Sequence, residues 1–164
     1  MRQLRLGAGI LNQTPLDWEG NCSRIERAIE QARSMEVGVL CLPELCVTGY
    51  GCEDMFLAPS VWETSWQMLQ RIVPQTRGMI IAVGLPLYLT NGVYNVACVI
   101  ADGRIAGFIP KQHLAGDGLH YEPRWFRAWP EEVVSDYSRD GECWPIGDLI
   151  FEVNGVRFGF EICE

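Results

Sequence analysis

Val37-Gly38-Val39-Leu40-Cys41-Leu42-Pro43-Glu44 is a near-continuous apolar run of strand length that stops at a proline and a carboxylate. A run without polar alternation marks a strand covered on both faces, as in sheets flanked by helices. Its neighbours agree. Residues 4–11 read as a first strand before polar Asn12-Gln13-Thr14-Pro15, and Trp18, Cys22, Ile25, Ile29 and Ala32 recur at helical steps of four and three. Downstream, Ser60-Val61-Trp62-Glu63 reads as a capping box that opens a second helix. Trp62, Trp66, Leu69 and Val73 form its expected core face, and Pro74 its stop. Residues 79–85 make a third strand. Asp102-Gly103, between apolar runs 94–101 and 105–109, predicts a hairpin, as does Asn154-Gly155 between 149–153 and 156–162. Residues 111–148 show little periodicity and read as an irregular insertion, which at that length inside a compact domain points to function. The order predicts a mixed α/β layered domain rather than a purely parallel sheet.

Composition narrows the class. The 164 residues make one domain, long enough for a real core. A net charge of −8 argues against nucleic-acid and anionic-membrane surfaces. The basic start Met1-Arg2-Gln3-Leu4-Arg5 is followed by an apolar stretch that breaks at Asn12-Gln13, too short for a signal peptide or a membrane span. The seven cysteines include no Cys-x-x-Cys pair, and His113 and His120 fall in no zinc spacing, so no metal site is expected. Cys41 and Cys98 lie in apolar runs, where reduced thiols behave as small hydrophobes; a cytoplasmic setting is expected. Gly7-Ala8-Gly9 is a partial dinucleotide fingerprint that lacks its third glycine, and reads better as strand packing.

Three residues stand out chemically. Glu44 follows the apolar run directly, where sites in α/β sheets usually lie, and partial desolvation suits it to act as a base. Lys111 ends the second strand of the Asp102-Gly103 hairpin; beside a carboxylate and a thiol its ammonium would stabilise a developing oxyanion. Cys163 closes Val156-Arg157-Phe158-Gly159-Phe160-Glu161-Ile162, read as a buried strand delivering a thiol at its end. A carboxylate, an amine and a thiol at three strand ends suit amide cleavage through a thioester. Singly, each has an ordinary alternative as a solvated side chain or, for Cys163, a core cysteine.

Together with Leu42-Pro43-Glu44-Leu45-Cys46-Val47-Thr48-Gly49-Tyr50, the segments 12–21, Pro110-Lys111-Gln112-His113-Leu114 and His120-Tyr121-Glu122-Pro123-Arg124-Trp125-Phe126 resemble the nitrilase-type carbon–nitrogen hydrolases. More narrowly, they resemble the amino-terminal glutaminase domains of the glutamine-dependent NAD synthetases. The resemblance implies a nitrilase-like α-β-β-α layered sandwich, with residues 1–164 as its amino-terminal part. It implies Glu44 as general base, Lys111 as stabiliser of the tetrahedral intermediate and Cys163 as nucleophile. Glu122 resembles a second acidic residue supporting the lysine, and Tyr50 an aromatic residue at the glutamine pocket. Where some members contact glutamine with a tyrosine, this chain has Asp117. The expected partners are glutamine, a synthetase domain outside the chain and, in the intact protein, further copies in a homo-oligomer. ATP and magnesium belong to that synthetase domain; no cofactor is expected in this stretch. Residues 1–164 alone are expected to be weakly active. A stand-alone nitrilase-type amidase and a non-catalytic interaction subunit are the alternatives.

Overall fold

The apolar run becomes β2 (Val39–Cys41), paired in parallel with β1 (Leu6–Ala8) on one side and β3 (Ile80–Leu89) on the other. The computed structural model describes residues 4–116 and 121–163. It continues the sheet antiparallel through β4 (Gly92–Ala101) and β5 (Arg104–Pro110). An antiparallel pair, β6 (Val134–Arg139) and β7 (Glu142–Gly147), then joins through a parallel contact of β7 with β5. The resulting order is β1-β2-β3-β4-β5-β7-β6, a mixed sheet as expected. A separate two-stranded ribbon holds β8 (Phe151–Val153) and β9 (Val156–Phe158).

Helix α1 (Trp18–Ser34) starts where the Asp17 carboxylate accepts a 3.1 Å hydrogen bond from the Gly20 amide, satisfying a donor the first turn leaves open. Its stripe Cys22, Ile25, Ile29 and Ala32 packs on the sheet beside Trp66, Leu69 and Ile72 of α2 (Pro59–Ile72). Alternation along β4 explains its unbroken apolar run. Val96, Cys98 and Ile100 meet the helices, whereas Ala97 and Val99, with Ile109, face Leu149, Phe151, Phe160 and Ile162.

Several expectations are corrected. The capping box is absent: Ala58 caps α2 without a side-chain bond, and Pro59 takes the first helical position, where its fixed φ and missing N–H fit. Ser60 therefore lies inside the helix, and Trp62 packs against a second cluster, with Leu45 and Phe56, where it stacks on Tyr88 at 4.4 Å. As expected, α2 ends just before Pro74, at Ile72, and a short 3-10 turn, Val73–Thr76, follows. Residues 111–148 are not wholly irregular, since they contain β6 and β7. Asp140 (φ 54) and Gly141 (φ 84) turn that hairpin as Asp102 (φ 50) and Gly103 (φ 78) turn the other, the left-handed pair a tight hairpin needs. Most side chains of β6 and β7 are exposed, Tyr137 and Ile146 being the large buried ones, so no apolar run advertises them. Cys41 is exposed rather than packed as a hydrophobe. Finally, Cys163 does not end a buried strand. β9 stops at Phe158, is largely exposed, and has only the three residues of β8 as hydrogen-bonding partner; Cys163 lies beyond it in a left-handed turn (φ 51).

Candidate functional site

Two antiparallel steps, β3 to β4 and β4 to β5, return β5 to the direction of β2, so Glu44 and Lys111 leave the same edge of the sheet. Three strand spacings still separate them, about 14 Å at the usual inter-strand distance. The chain after β2 closes that gap by crossing over β3 at Gly84. There the Val47 amide donates to the Gly84 carbonyl at 3.1 Å. A Cβ on residue 84 would lie 2.3 Å from the Leu45 nitrogen and 2.6 Å from the Pro43 oxygen, both backbone atoms. Leu45, fully buried, takes a left-handed conformation (φ 51), a strain that local packing must hold. The hold comes from the polar segment before α1. Gln13 donates to the Cys46 carbonyl at 2.7 Å, buried Asn21 donates to the Val47 carbonyl at 3.2 Å, and Arg24 fixes Gln13 at 2.7 Å. Gly84→Ala is therefore expected to push the 43–45 turn off β3. Overpacking of this kind costs about 1–3 kcal/mol, and misplacement of Glu44 is expected to reduce activity further. A denaturant melt and a crystal structure of the variant check both effects; an unmoved turn would show that the close approach does not position Glu44.

The cluster itself is built around one ammonium. Lys111 is 2% exposed, and its Nζ lies 2.8 Å from Glu44 Oε1 and 2.9 Å from Glu122 Oε2. Glu122, on the short turn Glu122–Arg124, is fully buried. Its Oε1 also accepts from the Tyr50 hydroxyl at 2.9 Å, and its Oε2 from the Ala115 amide at 2.7 Å. Burial opposes charge on Glu122, but Lys111, the Ala115 amide and Tyr50 together outweigh it and hold the carboxyl below its usual range. Burial likewise opposes charge on Lys111, and the two carboxylates reverse that, raising it. Burial and then the Glu122 hydrogen bond push the Tyr50 hydroxyl upward, so it stays a donor.

Two carboxylates facing one ammonium leave the trio one negative charge in excess. Glu122, sealed and held by three donors, is the fixed counter-ion. Glu44, with its side chain 22% exposed, is the one that opens outward. It lines a cavity of about 190 Å³ together with Cys41, Gly84, Ala97 and Cys163. A second cavity, of about 390 Å³, lies along the same terminal segment and is lined by Pro110, His113, Asp148 and Cys163. Glu44, Lys111, Glu122 and Tyr50 thus meet in one hydrogen-bonded cluster, with Cys163 on the cavity that Glu44 shares. Asp117 lies outside the described residues. Among the described residues no group of three or more His, Cys, Asp or Glu side chains is arranged to hold a metal, and no helix is long and apolar enough to cross a membrane.

Two residues escaped the sequence reading. Gly84 looks like any glycine in a strand. Asn95 left a signal: it is a lone amide inside the apolar run 93–100, and it is fully buried.

The model of the carbon–nitrogen hydrolase family matches residues 5–164. The chain is similar to the glutamine-dependent NAD(+) synthetase of Drosophila melanogaster, 32% identical over 174 aligned positions, covering 99% of this chain and 22% of that protein. It is also similar to that of Saccharomyces cerevisiae, 36% identical, covering 94% of this chain and 23% of that protein. The crystal structure of a glutamine-dependent NAD(+) synthetase from Cytophaga hutchinsonii superposes with a TM-score of 0.95 at 43% identity, over 98% of this chain and 28% of that one. The chain thus spans about a quarter of the length of the curated relatives it matches.

Proposed function

The chain belongs to the carbon–nitrogen hydrolase family, and on that premise we propose that it hydrolyses the side-chain amide of glutamine. The observation that carries the reading is Lys111 held between two carboxylates, one sealed and one opening on the cavity shared with Cys163. Glu44 takes the Cys163 proton as the sulfur bonds to the amide carbon, and the carbonyl becomes an oxyanion facing the Lys111 ammonium. Collapse breaks the carbon–nitrogen bond, Glu44 returns the proton to the leaving nitrogen, and ammonia departs. Water, deprotonated by Glu44, then cleaves the thioester to glutamate and the free thiol. Glu122 keeps Lys111 charged throughout, while Tyr50 and Asp117 are assigned to the glutamine pocket. We assign the ammonia to a synthetase domain that uses ATP and magnesium to amidate deamido-NAD, in keeping with the name borne by the relatives. Seven cysteines with no disulfide among the described residues support a cytoplasmic setting.

The test is to trap the intermediate. Full-length protein mixed with glutamine and quenched in acid is expected to carry an acyl group on the peptide containing Cys163, released by hydroxylamine. Turnover without an adduct on that peptide, or an adduct on another cysteine, would remove the assignment.

A further inference from the structure

Asn95 is fully buried in β4 among apolar neighbours, yet it makes two contacts with the cluster. Its Nδ2 donates to Glu44 Oε1 at 2.5 Å, the same oxygen that Lys111 Nζ reaches at 2.8 Å. Its backbone carbonyl accepts from the Lys111 amide at 2.8 Å. The other end of its side chain, Oδ1, is buried and has no hydrogen-bond partner among the described residues. A purely structural amide would have both ends satisfied, and in an apolar strand a leucine would fill the space without an orphaned acceptor. Asn95 is satisfied only on the side that faces Glu44.

The consequence lies in how the carboxylate is divided. Oε1 takes both donors. Among the described residues Oε2 accepts no hydrogen bond, and Glu44 lines the cavity that Cys163 also lines. We propose that Asn95 is a positioning residue which, with Lys111, fixes Oε1 of Glu44 and so leaves Oε2 as the oxygen that exchanges the proton. This rests on the amide-hydrolase reading above. The titratable groups around Glu44 are Lys111, Glu122 and Tyr50, with Cys41, Glu161 and Cys163 on the cavity it lines. Lys111 is already bonded to Oε1 and Tyr50 donates to Glu122, so neither replaces the Asn95 donor.

The experiment uses Asn95→Leu and Asn95→Asp in the full-length protein. The first removes donor and orphan together; the second keeps the shape and replaces the donor with an oxygen. Expected for Asn95→Leu is a kcat about 10- to 100-fold lower with KM little changed, as for loss of a hydrogen bond to a charged group. Its acid limb moves to higher pH, and its thermal midpoint is unchanged or raised. A merely structural role would instead lower the midpoint and leave the pH profile in place. Asn95→Asp is expected to lose at least as much activity, increasingly as pH rises. A readout independent of turnover is the carbon-13 spectrum of glutamate side-chain carboxyls, with Glu44 assigned by its disappearance in Glu44→Gln. Its resonance is expected to move in Asn95→Leu, as one of the two donors to Oε1 is lost. An unmoved resonance overturns the proposal, whatever the kinetics. If Glu44→Gln hydrolyses glutamine normally, the amide-hydrolase reading falls instead, and the resonance still decides whether Asn95 holds Glu44.

Discussion

Cys163→Ala in the full-length protein is expected to lower glutamine hydrolysis by at least about 10⁴-fold, the scale seen when a catalytic nucleophile is removed. Dinucleotide amidation supplied with free ammonia is expected to persist. On the proposed reading the two effects separate, because the thiol would generate ammonia and take no part in activating the acceptor. Cys163 is exposed and lies outside both sheets, so removing its thiol breaks no strand pairing. Parallel assays with glutamine and with ammonium chloride, beside a thermal melt, make the check. Loss of both activities with an intact fold would mean that Cys163 serves the coupling between sites rather than attack on the amide.

Lys111→Met is expected to cost the fold about 3–5 kcal/mol, because breaking a buried ion pair leaves charge without its partner. Against a total stability of roughly 5–15 kcal/mol, that is a large share. The penalty falls on Glu122, fully buried with its carboxyl 2.9 Å from the ammonium, more than on the partly open Glu44. Adding Glu122→Gln is expected to recover much of the stability and none of the activity, since the double variant loses the buried charge along with the oxyanion's partner. The pH dependence gives a second check. Glu122 is held below its ordinary 4.5, so its contribution is present above that pH and fades as pH falls through the lower folded value. Lys111 is held above its ordinary 10.5, so its contribution is present below that pH and fades as pH rises through the higher folded value. The native cluster thus supports a plateau between the two. In Lys111→Met, burial dominates Glu122, and stability should rise as the solution is acidified toward its protonation. Urea melts across the pH range decide the matter, and a variant that keeps the native acid limb would show that Lys111 is not what holds Glu122 charged.

The carboxylate and ammonium that meet in the cluster were legible because local chemistry marks them. Each ends an apolar run, and an apolar run needs no tertiary information to be recognised as a buried strand. The same holds for the stripe of α1 and for the Asp102-Gly103 hairpin, whose turn residues state their own backbone conformation. Signals that compete locally were misread: Pro59 outweighed Ser60 as the start of α2, and the β6–β7 hairpin hid because its strands stay mostly exposed. Cys163 was recognisable as the thiol to watch, although the strand assigned to it was wrong. Short β9 has only β8 beside it, and the chain beyond Phe158 leaves the ladder. Tertiary structure alone decided that Glu44 and Lys111 meet. That depends on the parity of two antiparallel steps, which returns β5 to the direction of β2, and on a crossing that only a glycine on β3 admits. It also decided the place of Asn95, because an amide inside a strand gains a partner only when a loop from two strands away is laid over it. Periodicity is a property of neighbours in sequence, whereas the cluster is made of neighbours across a sheet.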